Sequence, residues 1–349
     1  MRLLELLDSA KVCSVSVVGL AKNAGKTVAL NSLIRQAAQA GVALGLSSIG
    51  YDGEKIDLVS RLPKPRIEVV EGTILATASG TLERSTAALE ILAATGFVTA
   101  LGEVLLVRTR ESGYVEIAGP DSYGEMQKCI GRMLKLGCQL ALIDGALDRV
   151  GSASPAVTEA AILATGAVAG GSMRQILMRT LHFVSLCSLP KLSEGARRAA
   201  AVRATLAGQL LLSTSQGERV LPFASALGHA AAIADCLPRD EEFALVVPGA
   251  VNESLLGEIM QRPRLARQAL LISADPTHIF ATPEVWQKYR ALGGRVAVLE
   301  QIRLLAATVN PTAPSGKAYE PRQFAAEIAA SLAPLPVYDL FDSDQAVCL

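Results

Sequence analysis

Residues 11–31 contain the side chains best suited to chemistry in this chain. An apolar, β-branched run ends at Gly19, a short polar loop follows, and Gly25-Lys26-Thr27 opens an amphipathic pattern typical of a helix. A glycine-containing loop between a strand and a helix can turn backbone N–H groups onto phosphate oxygens, and the helix N-terminus adds partial positive charge. Lys26 would reach the β- and γ-phosphates and the Thr27 hydroxyl would bind Mg²⁺, so the sequence predicts a P-loop.

The predicted loop is longer than the common form. Five residues separate Gly19 from Gly25, whereas the common P-loop has four at this place. Lys22 is a second lysine in the loop, and it is either a phosphate ligand or a solvated side chain. The residues predicted to surround the nucleotide are Gly19, Lys22, Asn23, Ala24, Gly25, Lys26, Thr27 and Val28.

Carboxylates that follow apolar runs could complete a metal site. Asp144 ends the run LALI, Asp52 follows the second predicted strand, and Glu71 is a third candidate in VVEGT. The carboxyl ends of parallel strands meet at one edge of a sheet, which makes all three eligible; each could also be a simple turn residue. We expect Thr27, Asp52 and Asp144 to bind Mg²⁺, and Lys26, Asp52 and Asp144 to serve catalysis.

A turn-rich segment near the C-terminus could contact the base of a nucleotide. The sequence TVNPTAPSGKAYEP follows an apolar run and contains Asn310. A side-chain amide offers both a donor and an acceptor, which suits the edge of a purine. We predict that Asn310 reads the base; the alternative is an ordinary structured loop.

Strand and helix patterns alternate along the first half of the chain and predict an α/β fold. We expect a mostly parallel sheet flanked by helices, of the P-loop NTPase type. Helices are predicted over 27–40, 83–96, 122–136, 173–186 and 196–208, and a hairpin turn at 111–113. We predict a nucleotide-binding core over 1–190. Residues 191–349 form a further α/β segment, either part of the same sheet or a second lobe.

Composition limits the partners and the compartment. The 349-residue chain has 33 basic and 33 acidic residues, so no broad basic face is available for nucleic acid. No segment offers about 20 uninterrupted apolar residues for a membrane span, and the N-terminus lacks a secretory pattern. The six cysteines include no Cys-x-x-Cys pair. Together these features predict a cytoplasmic protein with neither nucleic-acid nor membrane partners.

Several motifs occur in the same order in a known family. The segments GLAKNAGKT, SSIGYDGE, EGTILATA, LIDGALDR and VNPTAPSG resemble the KamB-like, nucleotide-binding subunit of the lysine 5,6-aminomutase reactivating system. The long loop is also similar to that of dethiobiotin synthetase. The first resemblance implies a P-loop ATPase that uses Mg²⁺ and ATP to release damaged cobalamin from an adenosylcobalamin-dependent aminomutase. It implies two partners, a companion reactivase subunit and the aminomutase.

Two other functions fit the same motifs. A kinase or ligase of the dethiobiotin synthetase type would transfer the γ-phosphate to a small substrate instead of water. A nucleotide-gated binding module would bind the nucleotide without significant turnover. The sequence leaves these functions open, together with the choice between ATP and GTP.

Overall fold

The computed structural model describes residues 1–49, 66–145, 154, 156–340 and 346–347. Asp52 therefore lies outside the described residues. The chain divides into two compact units. The first contains residues 1–181 and 303–349, and the second contains residues 182–302.

The secondary structure alternates between helices and strands through most of the chain. The helices are α1 (Leu3–Ser9), α2 (Lys26–Ala40), α3 (Tyr123–Lys135), α4 (Met173–Cys187), α5 (Ala196–Leu206), α6 (Ala230–Cys236), α7 (Glu253–Met260), α8 (Pro263–Gln268), α9 (Pro283–Ala291) and α10 (Pro321–Leu332). The strands of the first unit are β1 (Ser14–Gly19), β2 (Leu44–Ser48), β3 (Ile67–Val69), β4 (Ile74–Ala78), β5 (Leu89–Thr99), β6 (Gly102–Thr109), β7 (Gly113–Val115), β8 (Leu140–Asp144), β9 (Ala160–Gly166), β17 (Leu304–Asn310) and β18 (Val337–Tyr338). The strands of the second unit are β10 (Leu211–Thr214), β11 (Gly217–Val220), β12 (Phe243–Val247), β13 (Val251–Asn252), β14 (Ala269–Ser273), β15 (Ile279–Phe280) and β16 (Arg295–Val298).

A nine-stranded sheet organises the first unit. Its strand order is β18-β17-β9-β1-β8-β2-β4-β6-β5. Neighbouring strands run parallel from β18 to β4, and β6 runs antiparallel to both β4 and β5. β9 is buried along its whole length and β1 along nearly all of it, which explains their continuous apolar sequences. The predicted α/β class, with a mostly parallel sheet flanked by helices, is confirmed.

The second unit has a sheet of its own. Its strand order is β11-β10-β12-β14-β16, in which β12, β14 and β16 are parallel and β10 is antiparallel to both of its neighbours. Leu245, Leu271, Trp286 and Tyr289 belong to its buried core. The chain then returns to the first sheet as β17 and β18. Residues 191–349 therefore contribute strands to both sheets, because the last strands pair with β9 and not with the second sheet.

Three local predictions need correction. The helix expected over 83–96 is mostly β5, because pairing with β6 outweighs the local pattern. The turn at 111–113 does not join paired strands: β7 pairs with β3, and β5 is the hairpin partner of β6. Glu71 lies in an exposed turn before β4, at the amino end of that strand. It therefore lies at the opposite edge of the sheet from the carboxyl ends of the parallel strands.

Other helices lie where the sequence predicts them. α2, α3, α4 and α5 match the expected segments to within a few residues. The Ser122 side chain accepts a hydrogen bond from the Glu125 N–H and so caps α3. Among the described residues, no helix is long and apolar enough to cross a membrane.

A partly buried histidine of the second unit has a shifted pKa. Nε2 of His182 lies 2.9 Å from the Ala281 carbonyl oxygen, and its ring packs edge-on against Trp286. Burial lowers the pKa of His182, against the smaller opposing effects of the Ala281 carbonyl and Glu284. The pKa of His278 is instead raised, chiefly by its hydrogen bond to Asp275.

We predict that His182→Gln makes the free energy of unfolding less dependent on pH under acidic conditions. The unfolded chain binds the His182 proton at about pH 6.5, whereas the folded chain binds it only at lower pH. The free energy of unfolding should therefore fall as pH drops below about 6.5, and His182→Gln should reduce that fall. Urea denaturation of the full chain at a series of pH values measures it.

His278→Gln is the matched control, because His278 should change the free energy of unfolding with pH in the opposite direction. Because the folded-state pKa of His278 is raised, its contribution is present below about pH 6.5 and is lost as pH rises through that raised value. If the free energy of unfolding fell equally steeply with decreasing pH in His182→Gln and in the original chain, the lowered pKa of His182 would be contradicted.

Candidate functional site

The loop between β1 and α2 turns sharply before the helix begins. Asn23 and Gly25 both have positive φ angles, of 64° and 103°. These left-handed residues turn the chain sharply into the start of α2, while Ala24 between them is 1% exposed. The first residues of α2 are Lys26, Thr27 and Val28, which form the N-terminal turn of the helix.

Lys26 lies over the end of β1. A Cβ atom built on Gly19 would come within 3.0 Å of Lys26 Cγ and 3.1 Å of its Cδ. The lysine side chain thus folds back across the glycine, and the absence of a side chain at Gly19 makes room for it. This arrangement explains why the apolar strand ends in glycine.

Asp144 lies beside this loop on the neighbouring strand. β8 pairs directly with β1, and Asp144 is opposite Val17 in the parallel register. Its backbone is fixed on both sides: the carbonyl accepts from the Ile49 N–H at 3.2 Å, and the next N–H, of Gly145, donates to the Val17 carbonyl at 3.0 Å. The partly buried carboxylate is therefore held at the carboxyl edge of the sheet.

Asn310 anchors the loop from the far end of the chain. It is 8% exposed and ends β17. Its Nδ2 donates to the Asn23 carbonyl at 3.1 Å, and its Oδ1 accepts from the Thr312 N–H at 3.1 Å and the Thr312 hydroxyl at 2.9 Å. Both ends of the amide are thus used within the protein. Base reading by Asn310 stays a prediction, while the geometry gives the residue a loop-holding role that the sequence did not reveal.

β9 and β17 approach each other closely beside this anchor. Gly166 is in register with Asn310, and a Cβ atom at Gly166 would lie 2.4 Å from the Asn310 carbonyl oxygen. A side chain at this position would push the two strand ends apart. The glycine therefore lets Asn310 reach the loop.

Lys317 ties two neighbouring loops together. Its ammonium donates to the carbonyls of Gly171, at 2.7 Å, and Gly170, at 3.3 Å, and lies 4.9 Å from the centre of the Tyr319 ring. The segment after β17 is thereby joined to the segment after β9. The short Gly-Lys sequence at 316–317 thus has a structural role.

The end of β2 is covered by a segment that leads into α3. A Cβ atom at Gly119 would lie 1.9 Å from the Ser48 carbonyl oxygen and 2.6 Å from the Ser47 hydroxyl. The Ser48 hydroxyl donates to the Ile117 carbonyl at 3.2 Å and accepts from the Gly119 N–H at 3.3 Å. No local pattern predicts this contact, because it joins residues about 70 positions apart with no shared motif.

Most of the predicted site lies at one edge of the first sheet. Residues 19 and 22–28 belong to the end of β1, the loop and the first turn of α2, while Asp144 ends β8 and Asn310 ends β17 of the same sheet. Glu71 is at the opposite edge, and Asp52 lies outside the described residues. Within the described ranges, no group of three or more His, Cys, Asp or Glu residues could hold a metal.

Comparison with protein-family models, with curated proteins and with solved structures found no match to this chain. The site therefore has to be interpreted from its own geometry.

We predict that Asn310→Ala loosens the loop. The variant removes the bond to the Asn23 carbonyl and both bonds to Thr312, so the free energy of unfolding should fall by about 1–3 kcal/mol. Amide hydrogen exchange over residues 20–25 should become faster. Urea denaturation and mass-resolved exchange measure the two effects.

Asn252→Ala is a matched control for this experiment. Asn252 also uses its side-chain oxygen in a local bond, to the Leu255 N–H at 2.9 Å, but in the second unit. It should lower stability without changing exchange over 20–25. If amide hydrogen exchange over residues 20–25 were unchanged in Asn310→Ala, the Asn310 side chain would not be what holds the loop.

Proposed function

We propose that the chain is a P-loop ATPase that binds Mg²⁺ and ATP at the carboxyl edge of the first sheet. The observation that carries this proposal is the position of Lys26, folded across Gly19 at the start of α2, together with Asp144 at the end of the adjacent strand. A flexible cation, a glycine turn and a carboxylate at neighbouring strand ends match what a nucleoside triphosphate and its metal need.

The residues fit a bound triphosphate in charge and in shape. Gly25 has a left-handed conformation at the helix start, and the N–H groups that follow it suit phosphate oxygens. The Lys26 ammonium would offset phosphate charge. The donor set for Mg²⁺ would be the Thr27 hydroxyl and the Asp144 carboxylate, both of them oxygen ligands. Mg²⁺ would neutralise charge on the phosphates during transfer of the γ-phosphoryl group.

The protein residues would act mainly by positioning. The Asn310 amide donates to the Asn23 carbonyl, and this bond would help to hold the loop N–H groups in place for bound phosphates. Asp144 would orient a water molecule at the metal, and Asp52 stays in the proposal as a second carboxylate. Lys22 and Val28 would contribute from the loop and the first helical turn.

We propose a cytoplasmic reactivase as the setting for this activity. The ordered motifs that resemble the aminomutase reactivating subunit support it. ATP hydrolysis would then drive the release of damaged cobalamin from an adenosylcobalamin-dependent aminomutase, with a companion reactivase subunit as the second partner.

The test compares phosphate release by the original chain and by Lys26→Ala. Removing the ammonium should reduce ATP hydrolysis by about 10²-fold or more, because a charge that stabilises the transferring phosphoryl group is lost. Binding of a fluorescent ATP analogue should weaken as well. Lys288→Ala, an exposed lysine on α9 in the second unit, is the matched control and should change neither quantity.

The partners distinguish the candidate reactions. Adding an inactivated aminomutase and the companion subunit should stimulate phosphate release and free cobalamin. Phosphate transfer to a small carboxylate or amine would instead indicate a kinase or ligase. Tight nucleotide binding without phosphate release would indicate a binding module. Full ATP affinity and hydrolysis in Lys26→Ala would refute all three P-loop functions.

A further inference from the structure

Asp275 and His278 form a hydrogen-bonded pair in the second unit. Oδ1 of Asp275 lies 3.2 Å from Nδ1 of His278. Because an ionised carboxylate can only accept, Nδ1 is the donor, and the neutral ring keeps its proton on that nitrogen. Asp275 is 6% exposed, and the same oxygen accepts from the Thr277 N–H at 2.8 Å. The buried carboxylate therefore fixes both the position and the tautomer of the ring.

The second ring nitrogen of His278 is available to a ligand. The side chain is 37% exposed, and within the described ranges Nε2 has no hydrogen-bond partner and is not buried. Nε2 of the neutral ring carries a lone pair. The carboxylate on the far side of the ring stabilises the positive charge that develops when Nε2 forms a bond. His278 is therefore arranged as a nucleophile or a base.

The two other histidines of the chain lack this arrangement. Nε2 of His182 is bonded to the Ala281 carbonyl, and its Nδ1 is buried without a partner. His229 is exposed, and its Nδ1 lies 3.1 Å from the Leu227 carbonyl oxygen. Of the three histidines in the sequence, only His278 combines an accessible ring nitrogen with a carboxylate at the other one.

The pair lies at the carboxyl edge of the second sheet. Asp275 and His278 follow β14, the middle one of three parallel strands. His278 directly precedes Ile279, which is in register with Val251, so its backbone runs alongside Ala250. Ligands of open α/β sheets bind outside the carboxyl ends of the strands, so this position suits a ligand site.

Backbone donors border this position. The segment after β12 contains Gly249 and Ala250, and no described acceptor is bonded to either N–H. A Cβ atom built on Gly249 would meet nothing within 4 Å, so the space beside the glycine is open. Backbone N–H groups beside open space suit the oxygens of a phosphoryl group. The carboxylates of Glu253 and Glu300, which also follow strands at this edge, are engaged in other hydrogen bonds.

We propose that Nε2 of His278 accepts a phosphoryl group from a small donor with a phosphorus–nitrogen bond. The Nε2 lone pair forms a bond to phosphorus as the bond from phosphorus to the donor nitrogen breaks. With phosphoramidate, whose nitrogen already carries its protons, ammonia leaves with that electron pair. The ring becomes cationic, and the Asp275 carboxylate offsets this charge through the Nδ1–H bond.

A metal ion is a poorer occupant of this edge. Across the described residues, no group of three or more His, Cys, Asp or Glu residues could hold one. The Nδ1–H bond to Asp275 is then better matched to a covalent adduct at Nε2. The proposal concerns the second unit and does not rest on the function proposed for the nucleotide site.

The test treats the full chain with potassium phosphoramidate and measures phosphohistidine at each position by peptide mass spectrometry. Only the unprotonated ring is a nucleophile, and the pKa of His278 is raised, so the reaction is run at about pH 8. His278 should be phosphorylated about tenfold faster than His229, although His229 is the more exposed. This comparison is made within one molecule and needs no variant.

Variants test the carboxylate. Asp275→Asn keeps an acceptor oxygen but removes the charge, so it should slow phosphorylation of His278 about tenfold and leave His229 unchanged. Asp240→Asn removes an exposed carboxylate of the same unit and is the matched control, which should change neither rate. Circular dichroism checks that both variants are folded.

Two results would overturn the proposal. The first is phosphorylation of His278 no faster than that of His229 in the original chain. Diethyl pyrocarbonate, which modifies any accessible unprotonated histidine, is applied in parallel. If it modifies His278 readily while phosphoramidate does not, the residue is an accessible base and not a phosphoryl acceptor. The second is an equal rate at His278 in folded Asp275→Asn and in the original chain.

Discussion

The position of β1 between β8 and β9 is the constraint on which the candidate site depends. A strand paired on both sides and buried on both faces has its register fixed by hydrogen bonds and by apolar packing. Because all three strands run parallel, their carboxyl ends stop at one edge. The polar residues that follow these strands therefore lie at the same edge because of the sheet topology alone, without direct contacts between their side chains.

The proposed phosphate site also depends on the conformation of the loop that follows β1. Asn23 and Gly25 both have positive φ angles. This conformation costs energy for asparagine but not for glycine. The hydrogen bond from Asn310 to the Asn23 carbonyl holds this conformation from outside the loop. Lys26 contributes from inside by packing over Gly19. Preorganisation of the loop thus depends on residues at both ends of the chain.

The sequence predicts the local part of this arrangement well. The apolar run of β1, the Gly25-Lys26-Thr27 helix start and the run that ends at Asp144 are local patterns, and the structure has each element where it is expected. β5 was mistaken for a helix because its alanines and leucines fit either periodicity, and only pairing with β6 decides between them.

The long-range contacts could not be predicted in the same way. Gly119 against Ser48 and Asn310 against Asn23 depend on which strands become neighbours. A lone glycine or asparagine in a single sequence fits many turns, and nothing local indicates its distant partner. The second unit lies in sequence between β9 and β17, so their separation along the chain gives no indication that these strands pair.

The order of the chain has a consequence for assembly of the site. The bond between Asn310 and Asn23 joins residues 287 positions apart, and the whole second unit lies between them in sequence. Such long-range contacts close a large loop and form late in folding compared with local ones. If residues 182–302 fold as a unit, the effective length of that loop shortens, and β17 can pair with β9 at a lower entropic cost. Folding of the second unit would then assist completion of the loop anchor in the first.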